Sequence, residues 1–185
     1  IKQVPASIQE SINFSKQFSQ LSNRSYTNNI RFYRYLLQQK RHTEALIVQK
    51  ELRTQAKDLR KKIVQKLKKT PLSFIKEEMI HLTDDGFLNL NISNNSVSDL
   101  TPLKGLPFSI LFLNNNPITD ISPLKDMPLT QLNLANTKIR SIASLTSMNL
   151  KILNISSTHV SSLLPLNNQP LEELDISGSQ ATSLN

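Results

Sequence analysis

Apolar residues recur at fixed offsets of 21 positions through residues 87–185, and no insertion breaks the count. One column reads Phe87, Phe108, Leu129, Leu150, Leu171, and a second, three positions on, reads Leu90, Leu111, Leu132, Leu153, Leu174. Two further on stand Ile92, Leu113, Leu134, Ile155 and Ile176. Val97, Ile118, Ile139 and Val160 follow, then Leu100, Ile121, Ile142, Leu163 and Leu184, and last Leu103, Leu124, Leu145 and Leu166. A constant period of this size leaves little freedom of fold. Each copy is too short to enclose a core, so the copies must stack and bury one another as a solenoid. Such arrays present surfaces, and that already weights the functional reading towards binding.

Charge divides the chain. Residues 1–86 hold 17 Lys and Arg against 8 Asp and Glu, whereas residues 87–185 hold 5 against 6, within a total of 22 against 14. The shift coincides with the turn signal Asp84-Asp85-Gly86, which sets a helical region or cap over 1–86 and a repeat array over 87–185. With no cysteine, a disulfide framework and thiolate metal sites are excluded. The composition fits a cytoplasmic or membrane-associated setting better than a disulfide-rich extracellular one. No apolar run is long enough to span a bilayer as a helix. The chain begins with Ile1 and stops one residue after Leu184, inside a repeat. A piece of a longer protein is therefore expected.

Helices are expected before the repeats. Ser7-Ile8-Gln9-Glu10 has capping-box spacing, followed by Ile8, Ile12, Phe18 and Leu21 at rough helical spacing. A second helix starts near Thr27 and carries Ile30, Tyr33, Leu36 and Leu37. A third runs from about Thr43 to Lys69 on the stripe Val48, Leu52, Ala56, Leu59, Ile63, Leu67. Thr70-Pro71 ends it, and Pro71 can open a short helix through Leu72 and Ile75. Met79 to Leu82 reads as a strand, turning at Asp85-Gly86 into residues 87–92 and covering the first repeat layer. Arg60, Lys61, Lys62, Lys66, Lys68 and Lys69 make the end of the long helix basic. A nucleic-acid or anionic-membrane patch is one reading. A solvated helix face is favoured, because no nucleic-acid fold motif accompanies the run. Phe32, Tyr33 and Tyr35 beside Arg31 and Arg34 are spaced for helix packing rather than base stacking.

The repeat has the form L-x-x-L-x-L-x-x-N/T-x-I-x-x-I-x-x-L-x-x-M-P, cleanest from Phe108 to Pro128. It resembles the leucine-rich repeat family, in the short 21-residue form found in bacterial proteins. The resemblance implies an α/β solenoid of about five repeats: a right-handed superhelix with a parallel β-sheet, preceded by an α-helical region. The residues support it: the L-x-L pairs alternate as a strand with one buried face must. The later columns, spaced by three, suit a 3₁₀ return path that holds Pro102, Pro123 and Pro165. In the family the Asn95 and Asn116 position forms a side-chain ladder between turns. Thr137, Thr158 and Ser179 replace it here and predict a weaker ladder towards the C-terminus. The segment Asp120 to Leu124 is similar to internalin repeats, and similar arrays accompany bacterial serine/threonine kinases. No kinase signature is present.

On such a solenoid the strand residues pointing away from the core line the concave face. The protein-binding residues expected there are Asn91, Ile110, Phe112, Asn114, Gln131, Asn133, Ile152, Asn154 and Asp175. Ile110, Phe112 and Ile152 are the apolar members of an otherwise polar face and the candidate anchors. Catalytic residues, metal ligands and cofactors are not expected. His42, His81 and His159 lie far apart, no Gly-x-Ser-x-Gly occurs, and three glycines cannot build a phosphate loop. The sequence therefore predicts a non-catalytic protein-interaction module. The alternative is a regulatory or scaffold segment of a bacterial serine/threonine kinase whose basic helix binds anionic lipid or nucleic acid.

Overall fold

The computed structural model describes residues 25–84 and 86–181. The helix expected over Ser7–Leu21 and the Leu184 end of its column lie outside them. Helix α1 spans Tyr26–Gln38 and starts at Ser25, whose side chain accepts from the Asn28 amide. It buries Tyr26, Asn29, Ile30, Tyr33 and Leu36. Leu37, expected in that stripe, is instead 38% exposed, because it falls one residue, about 100° of helix, past the buried line. The helix closes with Lys40 in the left-handed region, φ 57°. The Arg41 and Lys40 amides return to the Leu36 and Leu37 carbonyls, which satisfies two terminal acceptors.

Helix α2 spans His42–Leu67, 26 residues, roughly 39 Å at 1.5 Å per residue. Ala45, Val48, Leu52, Ala56, Ile63 and Leu67 form its buried face, with Leu59 partly buried beside them. The short helix expected after Pro71 does not form. The Thr70 hydroxyl donates to the Leu67 carbonyl at 2.8 Å and accepts from the Leu72 amide at 3.1 Å. The chain then runs through turns that bury Leu72 and Ile75. Strands β1 (Ile80–Leu82) and β2 (Leu88–Asn91) form the expected antiparallel hairpin, with Ile80 opposite Leu90.

The hairpin turn sits directly on α2. Arg53 and Gln49 donate to the Asp84 carbonyl, and Arg60 to the Glu77 carbonyl. The Tyr26 hydroxyl donates to the Gly86 carbonyl, and burial pushes that phenol well above its ordinary pKa. Gly86 has φ 83°, and a Cβ there would meet Leu52 Cβ and the Arg53 amide nitrogen at 3.1 Å. Both the conformation and the close approach require glycine.

From β2 onward the sheet is parallel: β3 (Phe108–Phe112), β4 (Gln131–Asn133), β5 (Ile152–Asn154) and β6 (Glu173–Asp175) follow in sequence order. Leu111, Leu132, Leu153 and Leu174 pair in register, each 21 residues from the last. Between β2 and β3 the register shifts at Leu88/Asn89, and Ser109 is the extra residue, fully buried. Each return path holds one 3₁₀ turn, at Thr101–Leu103, Ser122–Leu124, Ala143–Leu145 and Leu164–Leu166. Pro102, Pro123 and Pro165 stand at the starts of their turns, where a missing N–H costs nothing. After each strand the chain enters the left-handed region at Asn94, Asn115, Asn136, Ser157 and Gly178. Asparagine tolerates that region better than most residues, so this column repeats for a backbone reason. A single cluster of buried residues runs from Tyr26 to Leu166, joining both helices to the solenoid.

Asn116 is the main polar bridge in the stack. Buried to 3% exposure, its Oδ1 accepts from the Asn95 and Val97 amides of the preceding repeat. Its Nδ2 donates to the Ile92 and Leu113 carbonyls. Thr137 and Thr158 each donate once, within their own repeat, to Leu134 and Ile155. Asn95, unlike its column mates, is exposed. In the last layer Gln169 occupies the column of Leu106, Met127 and Met148. Its amide accepts from the Leu150 N–H and donates to the Leu145 carbonyl. Two substitutions test these constraints by thermal or urea unfolding. Gly86→Ala is expected to lose about 2 kcal/mol through left-handed strain and crowding. Asn116→Ala, stranding buried amides and carbonyls, should lose about 3 kcal/mol, against roughly 1 kcal/mol for Thr137→Val.

Candidate functional site on the outer face of the sheet

Strand alternation turns both apolar residues of each L-x-L pair inward and leaves the residue between them, and the one before, on the outer face. The in-register pairing then lines those outer residues up across the sheet. Asn89, Ile110, Gln131, Ile152 and Glu173 form one row, and Asn91, Phe112, Asn133, Asn154 and Asp175 form the next. All the sequence-predicted face residues fall on this surface, with Asn114 just beyond β3. From Ile110 to Asn154 they are half-buried, and Asn91 and Asp175 at the two ends are exposed.

Their hydrogen bonds separate them into two kinds. The Asn91, Asn133, Asn154 and Asp175 side-chain oxygens each accept from the backbone amide two residues on, at Ser93, Ala135, Ser156 and Ser177, at 2.9–3.0 Å. These turns end the strands, so the residues are committed to the fold. Asn114 accepts from the Ser93 hydroxyl at 2.6 Å, and Asn154 Nδ2 donates to Asp175 Oδ2 at 3.0 Å. Phe112 stands at the same row position and can make no such bond. Ile110 and Ile152 flank Gln131 in the adjacent row. Of the nine sequence-predicted face residues, Ile110, Phe112, Gln131 and Ile152 are the four that neither these strand-end bonds nor the Ser93–Asn114 bond accounts for. The Asp175 carboxyl is held below the usual aspartate range, chiefly by the Ser177 backbone N–H and then by the Ser177 hydroxyl.

The basic residues of the long helix do not form one patch. Lys61 and Lys68 lie two turns apart on the solvent line that also holds Lys50 and Lys57, while Lys62, Lys66 and Lys69 lie about a third of a turn round from them. Arg60 faces inward to Glu77. Among the described residues no three His, Cys, Asp or Glu side chains gather closely enough to hold a metal ion. No described helix is long and apolar enough to cross a membrane.

One feature escaped the sequence reading. A cleft of about 260 Å³ opens between α1 and the turns leading into β4 and β5. Arg31, Arg34, Tyr35 and Gln38 line one wall and Asp126, Met127, Pro128, Ser147 and Asn149 the other. The signal was the i, i+3, i+4, i+7 spacing of the four helical residues, which places them on one face.

No protein-family model matches the chain, and no curated protein does. Among solved structures, internalin C2 from Listeria monocytogenes strain 4b F2365 is similar at 26% identity and a TM-score of 0.49 over 52% of this chain and 45% of that one. Internalin InlF of the same strain is similar at 25% identity and a TM-score of 0.43 over 49% and 35%. Both are internalins. The chain spans less than half the length of either.

The bonding at Asp175 yields a titration prediction. Its folded-state pKa is depressed, so its contribution to stability is present above the unfolded aspartate pKa and fades as pH falls through the folded value. An NMR titration should place its midpoint below that of a free aspartate, and Ser177→Ala, which removes the hydroxyl but keeps the backbone N–H, should move it part of the way back up.

Proposed function

We propose that the chain is a non-catalytic protein-interaction module that binds its partner on the outer face of the parallel sheet, through Ile110, Phe112, Gln131 and Ile152. The observation that carries this reading is Phe112. Neighbouring repeats use Asn91, Asn133, Asn154 and Asp175 at its position to close the strand. An aromatic there gives up a turn bond and leaves an apolar side chain half in water. Aromatic anchors flanked by aliphatic residues carry a large share of binding energy at protein interfaces. The face is held by a ladder of backbone hydrogen bonds, so little conformational freedom is lost on binding. The right-handed superhelix expected of the repeat agrees with the hand that parallel crossovers favour. The described residues up to Gly86 serve as the cap over the first layer, a reading supported by the shared core and the hairpin bonds to α2.

A photoreactive residue at position 131, compared with one at position 161 on the return side, tests the surface directly. Adducts to a common partner should form only from position 131. Phe112→Ala and Ile110→Ala should each weaken that partner more than fivefold. A triple Ile110→Ser, Phe112→Ser, Ile152→Ser protein that binds with unchanged affinity would refute the reading.

A second reading is favoured by the line of Lys50, Lys57, Lys61 and Lys68, all exposed and outside the two ion pairs of the described residues, Arg41–Glu44 and Lys151–Glu172. Such a stripe suits an anionic lipid or nucleic-acid surface, as expected of a kinase-linked scaffold segment. Binding through it should fall steeply with salt, whereas binding through the apolar face should hardly change.

A further inference from the structure

We propose that the cleft between α1 and the turns before β4 and β5 is an oxyanion site, taking a carboxylate or phosphate group between Arg31 and Arg34. Arg34 is the centre of the argument. Its guanidinium lies over the Phe87 ring, 5.2 Å from the centroid, and that ring is itself packed edge-on against Tyr33 at 5.6 Å. Nη2 donates to the Pro128 carbonyl at 3.1 Å. No carboxylate pairs with it: the ion pairs among the described residues are those of Arg41 and Lys151. Burial lowers its pKa, with no opposing charge to raise it. A guanidinium has five N–H donors in a rigid fork. Here the fork is partly withdrawn from water, and the one protein acceptor it meets is a neutral carbonyl.

A cation held out of water without a counter-ion favours any anion that reaches it, because the attraction is less screened than at an open surface. The rest of the cleft supplies donors. Arg31 stands one turn before Arg34 on the same helix face, Tyr35 and Gln38 follow it, and Ser147 and Asn149 face them across the opening. Arginine forks suit the paired oxygens of a carboxylate or phosphate. Asp126 is the opposing group. It reduces the charge of the lining and excludes neither ligand. It adopts a left-handed backbone, φ 63°, as Asn168 does in a later repeat, so asparagine is compatible with that backbone. At about 260 Å³ the space is below the usual range for drug-sized ligands. It suits a small free anion or the acidic group of a larger partner. The site shares no residue with the outer-face patch and stands or falls separately from it.

Calorimetric titration of the full chain with inorganic phosphate, and separately with glutarate, at constant ionic strength tests the site. Saturable one-site binding is expected for at least one of them. The tighter probe identifies phosphate or carboxylate as the natural group. Arg31→Gln and Arg34→Lys should each weaken it at least fivefold, the latter because charge remains but the fork is lost. Asp126→Asn should tighten it two- to fivefold. Lys61→Gln should leave it unchanged. Arg31 and Asp126 are exposed, so their variants keep the test valid even if Arg34→Lys perturbs packing. Absence of saturable binding to both probes, or an affinity unmoved by Arg31→Gln and Asp126→Asn, would overturn the proposal.

Discussion

The structure depends on in-register stacking of short parallel strands. A three-residue strand such as Gln131–Asn133 has no stability alone, since the entropy of ordering it exceeds what its few contacts return. Stacked between β3 and β5, its backbone groups are paired on both edges, and Leu132 is sealed between Leu111 and Leu153. Each layer is therefore stabilised mainly by its neighbours. The recurrence of leucine every 21 residues is the trace of this requirement, since a shift of one residue would turn every leucine of a strand to the outer face.

An array built this way has a problem at its ends. The first layer is closed by the β1–β2 hairpin, which adds an antiparallel strand and lies on α2 through Arg53, Gln49 and Gly86. In the last described layer Leu171, Leu174 and Ile176 are only partly buried, and Gln169 supplies amide bonds where earlier repeats place an apolar side chain. The polar ladder weakens in the same direction, from the multiply bonded Asn116 to the singly bonded Thr137 and Thr158.

Much of this was legible in the sequence, and the reasons are physical. The buried columns, the hairpin at Asp84-Asp85-Gly86 and the proline-started return turns are strictly periodic or locally coded. The long helix was visible from its stripe. Leu37 and the segment after Pro71 were misread because local pattern does not show where a neighbouring element lies. The outer-face positions follow from strand alternation alone, but their members are not equivalent. Asn91, Asn133, Asn154 and Asp175 serve the strand ends, a role that spacing cannot reveal. Helical spacing shows only one wall of the Arg34 cleft: the other wall is met across 94 residues of chain, and no local signal connects the two. Helix α1 meets the repeat turns only in three dimensions.

The central claim is that the regular positions report stacking and that Phe112 departs from them for binding. Replacing it with the residue the fold uses at that position tests this most directly. The account predicts that Phe112→Asn unfolds at the same or a higher urea midpoint, because the asparagine can cap the strand end as it does at Asn133 and Asn154. A loss of about 2 kcal/mol, the scale of a buried aromatic giving up its packing, would show that Phe112 is part of the core and contradict the account.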